Sequence, residues 1–231
     1  MIIPENLKIS GLSAFFTDRN AGIGTGLLSH LSGIPEEALY MPVQQHTDLV
    51  LVLEEFCRPE TADAVVTAVR GILIGVRVAD CVPILVYDRE KEIAGVVHAG
   101  WRGTAKGILG KTIKVMADRF SSRVDDILIA FGPSIRGCCY EVSEGVLSAV
   151  EAATGEGDYI LRKGNKGYMD LAFANRFQAL SMGVPEGNLW MSGECTYCLP
   201  ERFFSYRYSR TGKRQGGFIG LTIDYYGNVN R

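Results

Sequence analysis

Three things are scarce in this 231-residue chain: net charge, long apolar runs and histidine. Lys and Arg number 24 against 26 Asp and Glu, a formal charge of −2, so there is no basic field to hold nucleic acid or an anionic membrane. No run approaches the roughly 20 consecutive apolar residues of a membrane span. The opening "MIIPENLKIS" lacks the basic and apolar regions of a secretory leader. The expected address is therefore the cytoplasm, with small molecules or a second copy of the chain as partners, the protein being a monomer or homodimer. Without a secretory leader, the six cysteines read as reduced thiols, catalytic groups or metal ligands rather than a disulfide framework. The Gly-rich "NAGIGTGLL" lacks both GxGxxG spacing and a preceding strand, so it is a loop rather than a phosphate cradle. No repeat, low-complexity tract or linker divides the chain, which reads as one domain over 1–231.

What is present is a large supply of core: 47% of residues are hydrophobic, and a globule of this length buries roughly 70–75% of its unfolded surface. After an irregular stretch over 1–40, "DLVLVLEE", "ADAVVTAV", "GILIGVRVA", "VPILVYD" and "EIAGVVH" are short, β-branched and closely spaced, as in a sheet. "GTAKGILGKTIKVMADRF" then changes period. Ala105, Ile108, Leu109, Ile113, Met116 and Phe120 recur at helical spacing, with Thr104 as the N-cap. "DDILIAFG" is a further strand and "EGVLSAVEAAT" a second helix. Asp170 caps a third helix, "LAFANRFQALSMG", which Gly183 closes. "NLWMSG", "FFSYRY" and "GGFIGLTI" read as terminal strands. This irregular mixture predicts an α+β fold with mixed sheets rather than a doubly wound one.

Of the three histidines, His30 in "LLSHLSG" reads as structural. His46 in "QQHTDLV" precedes a strand and has polar neighbours. His98 ends an apolar run, and Cys81 lies between Asp80 and a Val-Pro pair where two apolar strands meet. Alone, a free cysteine here reads equally well as a small buried hydrophobe, and His46 as a hydrogen-bonded loop residue. Together they are three donors from separate strand ends, the ligand number of a catalytic zinc with one position open for water or substrate. No short-motif spacing recognises this trio; the fold must assemble it. In "HAGWRGTAKG", glycines flank a helix start whose free N–H groups, with Arg102, form an anion site beside His98. The alternative is ordinary capping with a surface arginine. Arg207, in the aromatic "FFSYRYSR", either reaches an anion or pairs with a surface carboxylate. Cys195 and Cys198 form the single CxxC, so a four-thiolate zinc site reads as incomplete, and packing is the favoured role. The adjacent thiols Cys138 and Cys139 point in different directions, so at most one lines a cleft; Cys139 is carried forward as a substrate-side residue.

"ADAVVT", "ADCVPILVYD", "VVHAGWRGTAKGIL", "GPSIRGCCYEV" and "FFSYRYSR", in this order from residue 62 to residue 210, resemble the YfiH or laccase-domain family, also labelled polyphenol oxidase-like. The resemblance implies a layered α/β/β/α fold, CNF/YfiH-like, and a cytoplasmic enzyme acting on purine nucleosides. Its activities would be phosphorolysis of adenosine, inosine, guanosine or methylthioadenosine, with adenosine deamination beside it. It also implies a zinc ion on His46, Cys81 and His98. Asp80 would then shuttle a proton during deamination, and Arg102 would hold phosphate. Four-copper chemistry, suggested by the oxidase labels, needs far more imidazoles than three, although copper could replace zinc and give weak phenol oxidation. Two rivals use the same residues or none. In one, a metal-free cysteine hydrolase, Cys81 is the nucleophile and His98 its base, a reading linked to cell-wall precursor editing in some family members. The other is a non-catalytic binding module.

Overall fold

The structure is a computed structural model and describes residues 1–223. In chain order its elements begin with β1 (Leu12–Phe16), α1 (Thr25–Ser32), β2 (Leu39–Tyr40), β3 (Val50–Val52), β4 (Ala64–Thr67), β5 (Leu73–Val78), β6 (Val82–Asp88) and β7 (Ile93–Ala99). There follow α2 (Trp101–Ala105), α3 (Ile108–Phe120), β8 (Ile127–Phe131), β9 (Glu141–Val142), α4 (Glu144–Thr154), β10 (Ile160–Lys163) and β11 (Lys166–Met169). The chain continues through α5 (Leu171–Ser181), β12 (Leu189–Met191), α6 (Tyr206–Ser209) and β13 (Gln215–Leu221). Among the described residues, no helix is long and apolar enough to cross a membrane.

Two sheets carry the fold. One has six strands in the order β12-β8-β6-β7-β4-β3, the other four in the order β1-β13-β5-β2. A core including Phe16, Ile74, Val76, Leu85, Val96 and Ile219 fills the space between them. On the outer face of the larger sheet, Val86 and Val97 join a second core with Ile108, Met116, Leu147, Leu171 and Ala174 of helices α3, α4 and α5. On the outer face of the smaller sheet, Phe15 and Phe218 pack against Leu28 of α1. The layering is thus α/β/β/α, in an α+β chain with mixed sheets. β6 and β7 are buried along their whole length. Coverage on both faces explains why they read as nearly continuous apolar runs rather than alternating ones.

Strand direction sets where the site can form. β6 and β7 are antiparallel with Val82 opposite Ala99, and β4 and β7 are antiparallel with Ala64 opposite Val97. β3 runs parallel to β4, with Val50 opposite Ala64. The end of β7 and the starts of β6, β4 and β3 therefore lie together at one end of the sheet. His98, Cys81, Asp63 and the loop bearing His46 all belong to that end.

Several expectations need correction. The long helix expected from Thr104 is two helices. Gly107 takes φ 68°, which stops the first turn and restarts the chain as the N-cap of α3. Thr104 is no cap: it is buried inside α2, where its hydroxyl accepts from Asn175 Nδ2 at 2.9 Å. The stretch over 1–40 is not irregular, since β1, α1 and β2 lie within it; α1 escaped notice because glycines cap both its ends. "FFSYRY" is not a strand, because the Ser205 hydroxyl accepts from Tyr208 N at 3.1 Å and starts α6. The third helix is as expected, with Phe173 N donating to Asp170 Oδ1 at 3.1 Å and Gly183 following at φ 90°.

Leu85 is fully buried between the two sheets. Leu85→Ala should destabilise the chain by about 3 kcal/mol, the usual range being about 2–5 for a well-packed core leucine. Urea unfolding measures this; a loss below about 1 kcal/mol would mean that the sheets do not pack tightly there.

Candidate metal centre

Asp63 immediately precedes β4 and is fully buried. Such a carboxylate needs partners, and it has five. Its Oδ2 accepts from the backbone N–H groups of Gln45 (3.2 Å) and Thr47 (2.6 Å) and from the Thr47 hydroxyl (2.7 Å). Its Oδ1 accepts from His46 N at 3.1 Å and pairs with His98 Nδ1 at 2.7 Å. Its carbonyl also accepts from His98 N at 2.7 Å. Burial alone would raise the carboxyl's pKa, but the bonds from His98 and Thr47 outweigh it and hold the group well below the usual carboxylate range. With Nδ1–H given to Asp63, His98 turns its Nε2 lone pair away from the carboxylate, the arrangement that orients metal-binding imidazoles.

Residues 45–47 wrap around Asp63, and His46 takes φ 57° within that loop. Asp80 takes φ 91° just before Cys81. Backbone strain of this kind in residues with side chains clusters at functional sites. His46 Nε2 lies 3.8 Å from Cys81 Sγ, and one ligand atom from each of His46, Cys81 and His98 lies within 4.8 Å of the others. A tetrahedral zinc about 2.3 Å from sulfur and about 2.1 Å from nitrogen would set an S···N edge of about 3.6 Å. Gly100 supplies the remaining room. A Cβ there would lie 3.0 Å from His46 Cδ2 and 3.2 Å from Cys81 Sγ. Donor chemistry, spacing and the cradle at Gly100 all fit a single zinc ion.

Without a cation the same atoms polarise one another. Burial would raise the Cys81 thiol, yet the His98 charge and the bonds from both imidazoles bring it down to about 6. Burial would lower His98, yet Cys81 and Asp63 raise it to about 9. Each group thus favours the charged form of the other, thiolate beside imidazolium.

The trio opens onto a cleft of about 970 Å³ that Asp80, Trp101, Arg102, Tyr140, Tyr206 and Arg207 also line. Arg77, Arg210 and Arg214 bring its arginines to five. The acceptors met by three of them are uncharged: Arg207 Nη1 donates to Glu141 O at 2.8 Å, Arg210 Nη1 to the Tyr206 hydroxyl at 3.4 Å, and Arg214 Nη1 to Thr211 O at 2.9 Å. None of these three bonds ends on a carboxylate. The Arg102 guanidinium stacks on Trp101, 4.5 Å from the ring centre. Burial foremost, reinforced by Cys81, pushes the Tyr140 phenol up to about 12, so its hydroxyl stays protonated. Asp80 is bound on both oxygens, Oδ1 accepting from the Thr196 hydroxyl and Oδ2 from Arg207 N, each at 2.7 Å.

The sequence reading requires two changes here. Cys139 does not line the cleft; its Sγ lies 3.2 Å from that of Cys198. The helix beside His98 begins at Trp101, not near Thr104, so Arg102 stands in its first turn. Asp63 was overlooked, although an acid opening an apolar run, "ADAVV", was a visible signal. Trp101, Tyr140, Arg77, Arg210, Arg214 and Tyr206 also went unnoticed, because only the fold collects them.

The layered fold and this strand-end trio define a laccase-domain protein. Residues 16–222 match the family described as multi-copper polyphenol oxidoreductase laccase, and the chain belongs to it. A Bacteroides thetaiotaomicron protein named purine nucleoside phosphorylase is 36% identical over 213 residues, covering 86% of this chain and 78% of its own length. A protein named adenosine deaminase RL5, from an unknown prokaryotic organism, is 38% identical over 203 residues, covering 82% and 76%. The crystal structure of YlmD from Geobacillus stearothermophilus superposes with a TM-score of 0.87 at 27% identity, over 95% of this chain and 94% of that one.

Asp63→Asn keeps the shape of the side chain but weakens its hold on the Nδ1–H of His98. Zinc affinity, measured by competition with a chromophoric chelator, should fall about 10–100-fold. Unchanged affinity would remove Asp63 from any role in orienting a ligand.

Proposed function

We propose that the chain is a zinc-dependent purine nucleoside phosphorylase, with adenosine deaminase and methylthioadenosine phosphorylase activity in the same cleft. The observation that carries this is the convergence of His46, Cys81 and His98 at the wall of a cleft that also presents aromatic rings and arginines. The names of the relatives support the substrate class.

His46, Cys81 and His98 hold the zinc, which when bound is a Lewis acid and lowers the pKa of coordinated water to about 7. Trp101, Tyr140 and Tyr206 offer faces for a purine, in a cleft at the upper end of the roughly 300–1,000 Å³ usual for small-molecule sites. Arg102, with Arg207 and its neighbours, holds phosphate against the anomeric carbon, where proximity and charge act together. The Tyr140 hydroxyl donates a hydrogen bond to the bound nucleoside. Because Asp80 is bound on both oxygens, it positions Arg207; to shuttle a proton it would first have to release a partner. The polarised Cys81 and His98 favour one alternative, a cysteine hydrolase operating when no metal is bound. Coordination would occupy the thiolate, so one pocket cannot run both mechanisms at once.

Bound metal is measured first, and adenosine is then offered with and without phosphate. Adenine and ribose 1-phosphate formed only with phosphate, and lost after chelation, are the expected products; inosine with ammonia would report deamination. Neither product, together with amide hydrolysis that survives chelation, would establish the hydrolase instead. Cys81→Ser should lower zinc occupancy and turnover together. Arg102→Ala should raise the KM for phosphate by about tenfold or more, the worth of a charge-assisted hydrogen bond, while zinc content stays unchanged. An unaltered KM would assign phosphate to other arginines.

A further inference from the structure

Of the five cysteines outside the centre described above, four meet at a single point. Cys138 and Cys139 occupy the turn after β8, while Cys195 and Cys198 occupy the turn after β12. Cys198 Sγ is 3.7 Å from Cys138 Sγ and 3.2 Å from Cys139 Sγ, and all four sulfurs lie within 4.8 Å of one another. Neither expectation about them holds. The lone CxxC is not an incomplete set, because the fold supplies the missing pair from about 60 residues upstream. The adjacent thiols do not diverge, because a tight turn, closed by Cys139 N and Tyr140 N donating to Arg136 O at 2.9 Å each, swings both toward Cys198.

We infer that Cys138, Cys139, Cys195 and Cys198 form a second metal site, a closed tetrathiolate centre for Zn²⁺, separate from the His46, Cys81 and His98 centre. Four sulfurs about 2.3 Å from a tetrahedral zinc lie about 3.8 Å apart, close to the separations here. Four thiolates suit zinc among the common divalent ions and leave no position open for substrate. Cys195 is buried and already receives the Arg136 N–H at 3.4 Å, a bond that stabilises sulfur as thiolate. Arg136, which gives that N–H, is itself fixed by an ion pair with Asp170 Oδ2 at 2.8 Å and a bond to Ser192 O at 2.7 Å.

The position suggests what the ion does. β8 and β12 pair in parallel up to Phe131 and Met191, and beyond them only a bridge between Ser134 and Cys195 continues the pairing. The two turns then run without regular structure to Tyr140 and Thr196. Tyr140 lines the cleft, and Thr196 holds Asp80. An ion here would staple the two turns together where strand pairing ends, and so support one wall of the cleft.

Metal content separates this site from the first. Wild-type protein loaded with Zn²⁺ and freed of excess should hold two ions per chain. Cys198→Ser and His98→Ala should each hold one, and the double variant none. In case Cys198→Ser fails to fold, wild-type protein is treated with an alkylating reagent before and after chelation, and the modified cysteines are identified by mass spectrometry. The expected result is that zinc protects Cys138, Cys139, Cys195 and Cys198 and that chelation exposes at least Cys138 and Cys198. A wild-type zinc content that Cys198→Ser leaves unchanged, equal alkylation with and without zinc, or a disulfide within the set in zinc-loaded protein would each overturn the inference. Since no nucleoside enters these measurements, their failure is distinct from failure of the proposed activity.

Discussion

One buried carboxylate organises the site. Asp63 cannot remain ionised at zero exposure without partners, and the partners it recruits are the loop that carries His46 and the ring of His98. The same set of bonds pins the strained backbone of His46, fixes which nitrogen of His98 is free and ties both to the start of β4. If Asp63 were apolar, the loop over 45–47 would have no anchor and the imidazole of His98 no preferred tautomer. The remaining demand is space, and Gly100 meets it at the one point where a methyl group would press on both His46 and Cys81.

Topology explains why these residues meet although they are distant in sequence. Antiparallel pairing places a strand's end beside the next strand's beginning, so Cys81 and His98 share an edge as soon as β6 pairs with β7 in this register. The same argument brings in β4, and parallel pairing carries it to β3. The apolar strands are a rigid platform, and the chemistry occupies the loops at their ends, where backbone strain can be tolerated because the sheet over-determines it. The metal centre and its family name also part company here. The family's description speaks of multiple coppers, but the chain has three histidines in all, and the candidate site gathers two of them with a single sulfur.

The legible parts of the sequence were those with a strong local signal. β5 to β8 showed as β-branched runs, α3 and α4 as apolar stripes, and Asp170 and Gly183 as the ends of α5. Where local signals conflicted, tertiary context decided. Gly107 interrupted an otherwise convincing helical stripe, and the β-prone aromatics of "FFSYRY" yielded to a Ser205 cap. Glycines hid α1, while the Gly164-Asn165 turn of the β10–β11 hairpin was a readable signal that was passed over. His46, Cys81 and His98 were visible as chemistry-bearing residues whose number suits a catalytic zinc, but no spacing rule joined them, and likeness to a family strengthened the grouping. The thiols of Cys138, Cys139, Cys195 and Cys198 were misjudged because adjacent cysteines and a solitary CxxC match no local rule. Only the pairing of β8 with β12 brings them together.

The account rests on a divalent ion shared by two imidazoles and one thiolate, with Asp63 behind one of the rings. Anomalous diffraction at the zinc absorption edge, from crystals grown without added metal, tests this most directly. The account predicts a strong peak within bonding distance of His46 Nε2, Cys81 Sγ and His98 Nε2, with His98 Nδ1 still on Asp63. A well-ordered site with no peak, or with His98 turned so that Nδ1 no longer faces Asp63, would contradict it.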